Sequence, residues 1–389
     1  QQQFIKEAAM LNQEKFYNSL KNNGVDFFTG VPDSYLNGFC NYLVANASES
    51  EHIIAANEGN AVGIAAGHYF ATGKLPLVYM QNSGMGNAVN PLASLADKNV
   101  YSVPMIWLIG WRGQPGTGDW AQHLLQGEIT KKLPEIMNIE YRVLADDEAE
   151  TTQILEWACR KAMNDRCPVA LIAPKGVLAA EKKPNIPDTS YPLSREEAME
   201  IVMDCMPDDT IYSATTGRAT RELYFLRDRR GEGHQNDFLN VGSMGHASSV
   251  ALGIAAAKPD RQVVTFDGDC ACMMHMGALT MVSKVNVPKF LHIVLNNGAH
   301  ESVGGQPSAG FAVDFTGIAR ASGYATIDTA VSAKEEIVSA IETLRKSEKA
   351  GFLEIRIHKG LRGSLPPLDI SHEGLITELM NELQGKECE

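Results

Sequence analysis

The sequence predicts two tandem α/β domains, each with a doubly wound parallel sheet. Short apolar runs alternate with helical patterns along both halves of the 389-residue chain. Such alternation is typical of parallel sheets with helices on both faces. Between the halves, residues 181–193 hold three prolines and no periodicity, which indicates an interdomain linker. We therefore expect a first domain at 1–180, a linker at 181–194 and a second domain at 195–389.

Each half has its own series of predicted elements. The strands predicted in the first half are 25–30, 52–55, 75–80, 105–109, 141–144 and 169–173. Its predicted helices are 34–43, 58–70, 88–96 and 148–163. The strands predicted in the second half are 210–212, 238–241, 263–266, 291–295, 325–327 and 352–357. Its helical segments are 218–227, 248–257, 276–285, 318–322 and 335–344. Ligands of open α/β sheets bind beyond the carboxyl ends of the strands, so the loops there are the candidate sites.

Composition excludes several classes of function. Lys and Arg number 34 against 47 Asp and Glu, a formal charge of −13, which argues against a general nucleic-acid binder. The longest apolar run, 103–111, falls short of the about 20 residues that cross a membrane, and the N-terminus has no apolar signal core. Seven cysteines without a CxxC pair predict reduced thiols and a cytoplasmic location.

Common nucleotide motifs are missing or incomplete. Residues 83–89, SGMGNAV, supply GxG but not the third glycine of a dinucleotide loop, and neither a P-loop nor HExxH is present. A stronger signal follows the predicted strand 263–266, which leads into Asp267-Gly268-Asp269. The next strand ends at Asn296-Asn297. Neighbouring parallel strands would bring these oxygens together as a partial Mg²⁺ shell that substrate phosphates complete. The alternative is that both are ordinary polar turns.

These residues carry a resemblance to a known family. Gly268-Asp269, followed later by Asn296-Asn297, resembles the thiamine-diphosphate motif of the decarboxylase and acetolactate-synthase superfamily, and residues 274–279, MHMGAL, also look like that family. Cys270 departs from the pattern, because the third motif residue is usually glycine. The resemblance implies bound thiamine diphosphate and Mg²⁺, with Asp269, Asn297 and the carbonyl of Ala299 as metal ligands.

Three further positions of the family pattern have matching residues in this sequence. The family needs a glutamate on the aminopyrimidine N1′, and Glu58 opens a small-residue helix after a strand; alternatively it is a helix-start glutamate stabilised by the macrodipole. Met244, after Gly242, matches the residue that props the bent cofactor, although a lone methionine is usually a core residue. Thr216-Gly217 matches the diphosphate-binding turn. The halves thus resemble the pyrimidine-binding and diphosphate-binding domains, without the third domain usual between them.

This compact arrangement resembles the phosphonopyruvate and sulfopyruvate decarboxylase family. Several short sequence segments also resemble this family, among them residues 30–34, GVPDS, and 298–306, GAHESVGGQ. The implied function is a lyase of phosphonate biosynthesis that converts 3-phosphonopyruvate to phosphonoacetaldehyde and CO₂ through ylide and enamine intermediates. Sulfopyruvate or another 2-keto acid is the alternative substrate, and a cofactor-binding subunit without catalysis is a third possibility.

The substrate residues are drawn from the same resemblance and from loop position. Asp33 and His123 lie after first-domain strands and could transfer protons near the substrate C2, although a lone histidine is more often structural. Arg112 suits phosphonate oxygens but could equally be a surface residue. The further candidates for the small anionic substrate are Ser34, His300 and Ser302. The family also implies a homo-oligomer with its active sites between chains.

Overall fold

The structure, a computed structural model, describes residues 11–179, 190–360, 362, 363, 365, 368 and 370–385. The chain divides into two units, the first comprising residues 1–183 and 300–306 and the second 184–299 and 307–389. Residues 300–306, which the expected second domain would include, thus group with the first unit. Most of the expected linker lies outside the described residues. No helix in the described ranges has the length and apolar character needed to cross a membrane.

The first unit alternates strands and helices. Its strands are β1 (Val25–Gly30), β2 (His52–Ile54), β3 (Leu75–Gln81), β4 (Met105–Gly110), β5 (Tyr141–Val143) and β6 (Pro168–Ala173). Its helices are α1 (Gln13–Asn22), α2 (Asn37–Asn46), α3 (Glu58–Thr72), α4 (Met85–Pro91), α5 (Ala121–Ile129), α6 (Lys132–Ile136) and α7 (Glu148–Asp165). A 3₁₀ turn, Asn82–Gly84, precedes α4, and a π-helical turn, Leu92–Ala96, follows it.

The six strands form one parallel sheet in the order β2-β1-β3-β4-β6-β5. Alternate side chains of a strand point to opposite faces. In β4, Ile106 and Leu108 accordingly belong to one hydrophobic cluster, and Trp107 and Ile109 belong to another. The sheet is therefore buried on both faces, which accounts for the nearly continuous apolar runs of its central strands.

The second unit repeats the plan. Its sheet strands are β7 (Ile211–Ala214), β8 (Asp237–Leu239), β9 (Val263–Gly268), β10 (Phe290–Asn296), β13 (Ala325–Thr326) and β14 (Gly351–Arg356), and the short β11 (Ala299–His300) pairs with β12 (Gln306–Pro307). Its helices are α8 (Arg195–Asp204), α9 (Arg218–Arg230), α10 (Ala247–Ala257), α11 (Asp269–Met274), α12 (Phe315–Ala321), α13 (Lys334–Leu344) and α14 (His372–Gln384). Met276–Lys284 is 3₁₀-helical, as is Glu301–Val303 in the segment that groups with the first unit.

The two sheets share one topology. The second runs β8-β7-β9-β10-β14-β13, all parallel, so each sheet places its strands in the sequential order 2-1-3-4-6-5 when β11 and β12 are set aside. The second sheet also has a hydrophobic cluster on each face. The expected fold class, two tandem doubly wound parallel-sheet domains, is thereby confirmed. In both units the strand order reverses between the first and third strands. An open α/β sheet forms its ligand-binding crevice at such a point.

Candidate active site

In the first unit, Glu58 lies in a prepared niche. Asn57 caps α3, and Glu58, the first residue of that helix, is 5% exposed. Asn87 Nδ2 donates to Glu58 Oε2 over 2.7 Å. A Cβ on Gly84 would lie 2.1 Å from Glu58 Oε1, so only glycine leaves room for the carboxylate. Burial raises the pKa of Glu58, and the Asn87 amide opposes that rise.

Asp33, in the loop after β1, is fully buried. Gln81, at the end of β3, donates from Nε2 to Asp33 Oδ1 over 2.6 Å, and the backbone N–H of Tyr35 donates to Oδ2 over 3.0 Å. Gly110 at the end of β4 leaves the space that the carboxylate occupies, since a Cβ there would lie 2.0 Å from Oδ2. Burial raises the pKa of Asp33, and the hydrogen bonds from Gln81 and Tyr35 oppose that rise.

Arg112, after β4, is paired with an acidic residue that the sequence analysis did not single out. Its Nε and Nη2 donate to the two carboxylate oxygens of Asp119 over 2.8 and 2.6 Å. Nη1 donates to Ser34 Oγ over 3.2 Å. Asp119 also accepts from the N–H groups of Gly113 and Trp120, and although burial opposes it, these partners lower the pKa of Asp119. Arg112 therefore has most of its donors engaged within the protein.

His123 lies in the first turns of α5, close to the same loop. The carbonyl of His123 packs against Gly113, where a Cβ would approach it to 1.9 Å. Burial, and then the positive charge of Arg112, lower the pKa of His123 below its ordinary value. The ring is therefore disposed to be neutral, the form that can accept a proton.

In the second unit, Thr220 in the first turn of α9 links the segments that follow β7 and β8. Gly217, with φ of +98°, precedes the first turn of α9, a backbone conformation that favours glycine, and Thr216 stands beside it. Thr220 Oγ1 donates to the carbonyl of Asn240 over 2.7 Å. The turn before α9 is thereby tied to the loop that carries Gly242 and Met244.

That second loop is shaped by Asn240. Its Oδ1 accepts from the N–H of Gly242 over 3.2 Å, and its Nδ2 donates to the carbonyl of Ser243 over 3.3 Å. Met244 is half-buried. Within the residues that the structure describes, it belongs to neither hydrophobic cluster of this unit. This favours a role for Met244 outside the core.

Asp269 follows β9 directly and is 2% exposed. Ser308 Oγ donates a hydrogen bond to Asp269 Oδ2. Burial raises the pKa of Asp269 and the Ser308 hydroxyl opposes the rise. Gly268 has an ordinary φ of −86°, and no protein atom lies within 4 Å of the position of a Cβ there. Neither backbone conformation nor internal packing therefore requires the glycine.

The unusual Cys270 is accommodated inside the fold. Its side chain is buried in α11, and Sγ lies 3.7 Å from Asp269 Oδ2. Burial raises the pKa of the Cys270 thiol well above its ordinary value. The thiol is therefore kept neutral beside the carboxylate.

The Asn296-Asn297 pair lies at the end of the adjacent strand, because Leu295 of β10 is in register with Gly268 of β9. Asn297 is buried, and its Oδ1 accepts from the N–H of Ala299 over 3.1 Å. Asn296 Oδ1 accepts from the N–H of Gly298 over 3.1 Å. The sheet thus places Asp269 and the two asparagines at the same edge of the second unit, as the sequence predicts.

His300 and Ser302 fall in the segment that groups with the first unit. His300 ends β11, and burial lowers its pKa to about 4. Ser302 lies in the 3₁₀ turn that follows and is exposed. The structure provides no hydrogen bond that joins either side chain to Arg112.

Hydrogen bonds sort the candidate residues into three groups. Asp33, Ser34 and Arg112 are linked in one network, Glu58 has its own niche, and Asp269 lies with the asparagine pair. Four further participants were missed by the sequence analysis, namely Gln81, Asn87, Asp119 and Ser308. Gln81 ends β3 and Asn87 lies in α4, on either side of the partial GxG that begins at Gly84, and each donates to a buried carboxylate.

Comparisons with known proteins agree with this geometry. Residues 12–133 match the thiamine pyrophosphate enzyme N-terminal TPP binding domain, and 216–355 match the corresponding C-terminal domain. A phosphonopyruvate decarboxylase of Streptomyces viridochromogenes is 33% identical over 87% of this chain and 86% of its own. One from Streptomyces hygroscopicus is 31% identical over 92% and 90%. A sulfopyruvate decarboxylase of Methanosarcina acetivorans is 30% identical over 90% and 92%. The chain belongs to the family of thiamine-pyrophosphate-dependent decarboxylases.

Proposed function

We propose that this chain decarboxylates 3-phosphonopyruvate to phosphonoacetaldehyde and CO₂. Two relatives with this activity in their names align with it over most of both chains. The observation that supports catalysis is the buried carboxyl group of Glu58, held by Asn87 and fitted against Gly84. A binding subunit without catalysis would have no need to keep a carboxyl group where burial disfavours its charge. The sulfopyruvate decarboxylase relative makes sulfopyruvate the alternative substrate.

The residues of the second unit fit thiamine diphosphate and Mg²⁺. No protein atom lies within 4 Å of the Cβ position at Gly268, so the backbone there leaves room for the close approach of a diphosphate. Asp269 and Asn297 supply a carboxylate and an amide oxygen at one sheet edge, and the carbonyl of Ala299 is the third ligand that we propose. Oxygen donors of this kind suit Mg²⁺. Among the described residues, no cluster of three or more His, Cys, Asp or Glu side chains competes as a metal site.

The remaining cofactor contacts follow from the loops of the second unit. Thr216 and Gly217 precede the N-terminus of α9, where backbone N–H groups favour an anion, and we assign them to the diphosphate. Gly242 and Met244 are assigned to the bend of the cofactor, and the buried Cys270 borders the diphosphate loop. Thiamine diphosphate supplies the nucleophile and the electron sink that a 2-keto acid needs to lose CO₂.

Glu58 is the proposed acid–base residue. Burial raises the pKa of Glu58, which favours the protonated form of a group that must give and take a proton, and we assign Glu58 to the N1′ position of the aminopyrimidine. Asn87 fixes the carboxylate from one side and Gly84 admits it from the other. The niche thus holds the carboxyl group of Glu58 in one position. A catalytic group that is already in position lowers the entropic cost of proton transfer.

The first-unit network is the proposed substrate site. Asp33 and His123 are the candidates for proton transfer to the product carbon. Because Asp119 engages Nε and Nη2 of Arg112, the edge of the guanidinium available to a phosphonate is the Nη1 side, where Ser34 now accepts. We therefore assign Ser34 and Arg112 jointly to the anionic group, with His300 and Ser302 as further contacts.

We also propose a homo-oligomer with active sites between chains, and a cytoplasmic location. The oligomer is what the family resemblance implies for Glu58 and Asp269. The cysteines in the described part of the chain are free, which suits a reducing compartment.

An aldehyde assay with three keto acids tests the proposal. We expect the highest kcat/KM with phosphonopyruvate, and loss of turnover when Mg²⁺ or thiamine diphosphate is omitted. A higher kcat/KM with sulfopyruvate or pyruvate would overturn the substrate assignment. Full turnover by Glu58→Gln would show that the acid–base residue is misassigned. No turnover of any keto acid by the loaded protein would favour the non-catalytic alternative.

A further inference from the structure

Ser308, one residue after β12, contacts the carboxylate assigned to the metal. Its Oγ donates to Asp269 Oδ2, 39 residues away in sequence. The backbone N–H of Gly310 donates to Ser308 Oγ over 3.0 Å, which satisfies the hydroxyl as an acceptor and directs its proton toward Asp269. The orientation of the hydroxyl is therefore determined by its neighbours.

The backbone around Ser308 also braces the turn that carries the other proposed ligands. The N–H of Ser308 donates to the carbonyl of Gly298 over 2.9 Å. The carbonyl of Gly310 accepts from Asn296 Nδ2 over 2.9 Å. A Cβ on Gly310 would lie 2.4 Å from Asp269 Oδ2 and 2.5 Å from Asn296 Oδ1. Residues 308–310 therefore press against the ends of both β9 and β10.

Glu354 of β14 extends this support from the next strand. Its Oε1 accepts from Asn296 Nδ2 over 2.9 Å, and Arg356 Nε donates to the same oxygen over 3.2 Å. Asn296, the first of the asparagine pair, thus donates to Gly310 and Glu354 and accepts from the N–H of Gly298. The turn that presents Asn297 and Ala299 is therefore held by hydrogen bonds within the second unit.

We propose that Ser308 is a positioning residue for the metal site, and that its hydroxyl holds Asp269 Oδ2 so that the carboxylate meets Mg²⁺ in one orientation. The inference rests on the proposed role of Asp269 as a metal ligand. A carboxylate without a fixed donor can rotate, and ordering it then costs binding free energy. Groups that orient a ligand in this way change metal affinity about 10- to 100-fold when they are removed.

The test measures binding of Mn²⁺, as a substitute for Mg²⁺, to the full chain with thiamine diphosphate by titration calorimetry. We expect Ser308→Ala to weaken binding at least about 10-fold and Ser308→Thr, which keeps the hydroxyl, to restore it. Ser283→Ala is the matched control, because Ser283 Oγ donates to the carbonyl of Thr280 at an exposed position, and it should leave affinity unchanged. Activity of Ser308→Ala should recover at saturating metal, so that the metal concentration at half-maximal rate rises while kcat changes little.

Unchanged or tighter Mn²⁺ binding by Ser308→Ala would overturn the proposal, the second result because the hydroxyl would then compete with the metal for Asp269. If the alanine variant does not fold, Ser308→Cys keeps the side-chain size with a weak donor, and its affinity should lie between alanine and serine. Failure of the proposed metal site has a different signature. Wild type and Asp269→Asn would then bind Mn²⁺ equally weakly, which would reject both proposals together.

Discussion

Asn87 and Gly84 hold the Glu58 carboxylate between them, one as a hydrogen-bond donor at 2.7 Å and the other by having no side chain. All three residues lie in the first unit, although Glu58 is separated from the others by β3. The niche is built from groups of this chain alone. It therefore permits tests that separate the position of the carboxylate from its chemistry.

Gly84→Ala should displace the carboxylate while leaving the backbone unstrained. The new Cβ would lie 2.1 Å from Glu58 Oε1, whereas Gly84 has an ordinary φ of −83°. We expect turnover to fall at least about 100-fold, the size of a lost general acid–base contribution. Gly86→Ala is the control, since no atom lies within 4 Å of its Cβ position, and it should keep full activity. Equal activity of the two variants in the aldehyde assay would contradict this reading of the niche.

Glu58→Gln should stabilise the unliganded protein, and more so as the pH rises. Burial raises the pKa of Glu58 above its ordinary 4.5, so the folded chain holds this proton more tightly than the unfolded chain. Its contribution to stability is present below pH 4.5 and is lost as the pH rises through the raised pKa. Glutamine does not titrate, so the difference in melting temperature between variant and wild type should grow from pH 4 to pH 8. If the difference in melting temperature shrinks over this range, Glu58 is not a buried carboxyl group with a raised pKa.

Asp119→Ala should be among the more damaging substitutions outside the hydrophobic clusters. It leaves the largely buried Arg112 without its bidentate partner, which costs about 3 kcal/mol in the free energy of unfolding. Glu148→Ala breaks the exposed Lys15–Glu148 pair and should cost less than about 1 kcal/mol. Urea denaturation of both variants at pH 7 gives the comparison, and similar losses would refute it.

The cost of Asp119→Ala should also depend on pH. Burial opposes ionisation of Asp119, but Arg112 and two backbone N–H groups outweigh it and lower its pKa. The stability that Asp119 provides is therefore present above its ordinary pKa of 3.8 and is lost as the pH falls through the lowered value. Urea denaturation at pH 7 and pH 3 should accordingly show a smaller difference between variant and wild type at the lower pH.

Mg²⁺ and thiamine diphosphate together should raise the melting temperature of the wild type. At 100 times the dissociation constant the gain is about 2.7 kcal/mol. Asp269→Asn should lose most of this gain because the amide removes the negative charge offered to the metal. Asp328→Asn, at a fully exposed position, is the control and should keep it. Addition of a chelator should return the wild type to its unliganded melting temperature; a full gain in Asp269→Asn would place the metal elsewhere.

The strands of the fold were predictable because both sheets are buried on both faces. Runs such as Met105–Gly110 are apolar throughout, and each predicted strand has a counterpart within a few residues. Helix starts were harder to predict. The helix expected from residue 34 begins at Asn37, because Asp33 accepts the N–H of Tyr35 and holds the chain in a turn first. The predicted helix at 276–285 is a 3₁₀ segment, Met276–Lys284.

Several helices were not predicted at all. α1 and α8 are rich in charged residues, and α8 begins directly after the stretch taken as linker. The C-terminal α14 also has only a narrow buried face, which comprises Leu375 and Leu379. In α1 and α14 only two positions each are buried, which leaves few apolar residues from which to recognise a helical period.

Residues of the candidate site could be predicted where the local sequence marks them, at the end of a predicted strand or the start of a predicted helix. Asp33, Glu58 and Asp269 stand at strand ends or helix starts and can be found from the sequence. Their partners are identified by contact instead. Gln81 lies 48 residues from Asp33, and Ser308 lies 39 from Asp269. No local pattern marks a residue whose importance comes from a hydrogen bond across the fold.

The shared strand order of the two sheets has an evolutionary consequence. One ancestral α/β half, doubled and joined, would leave this correspondence of topology. The halves would then have diverged in the loops at the ends of their strands, so that one carries the Glu58 niche and the other carries Asp269 and the asparagine pair.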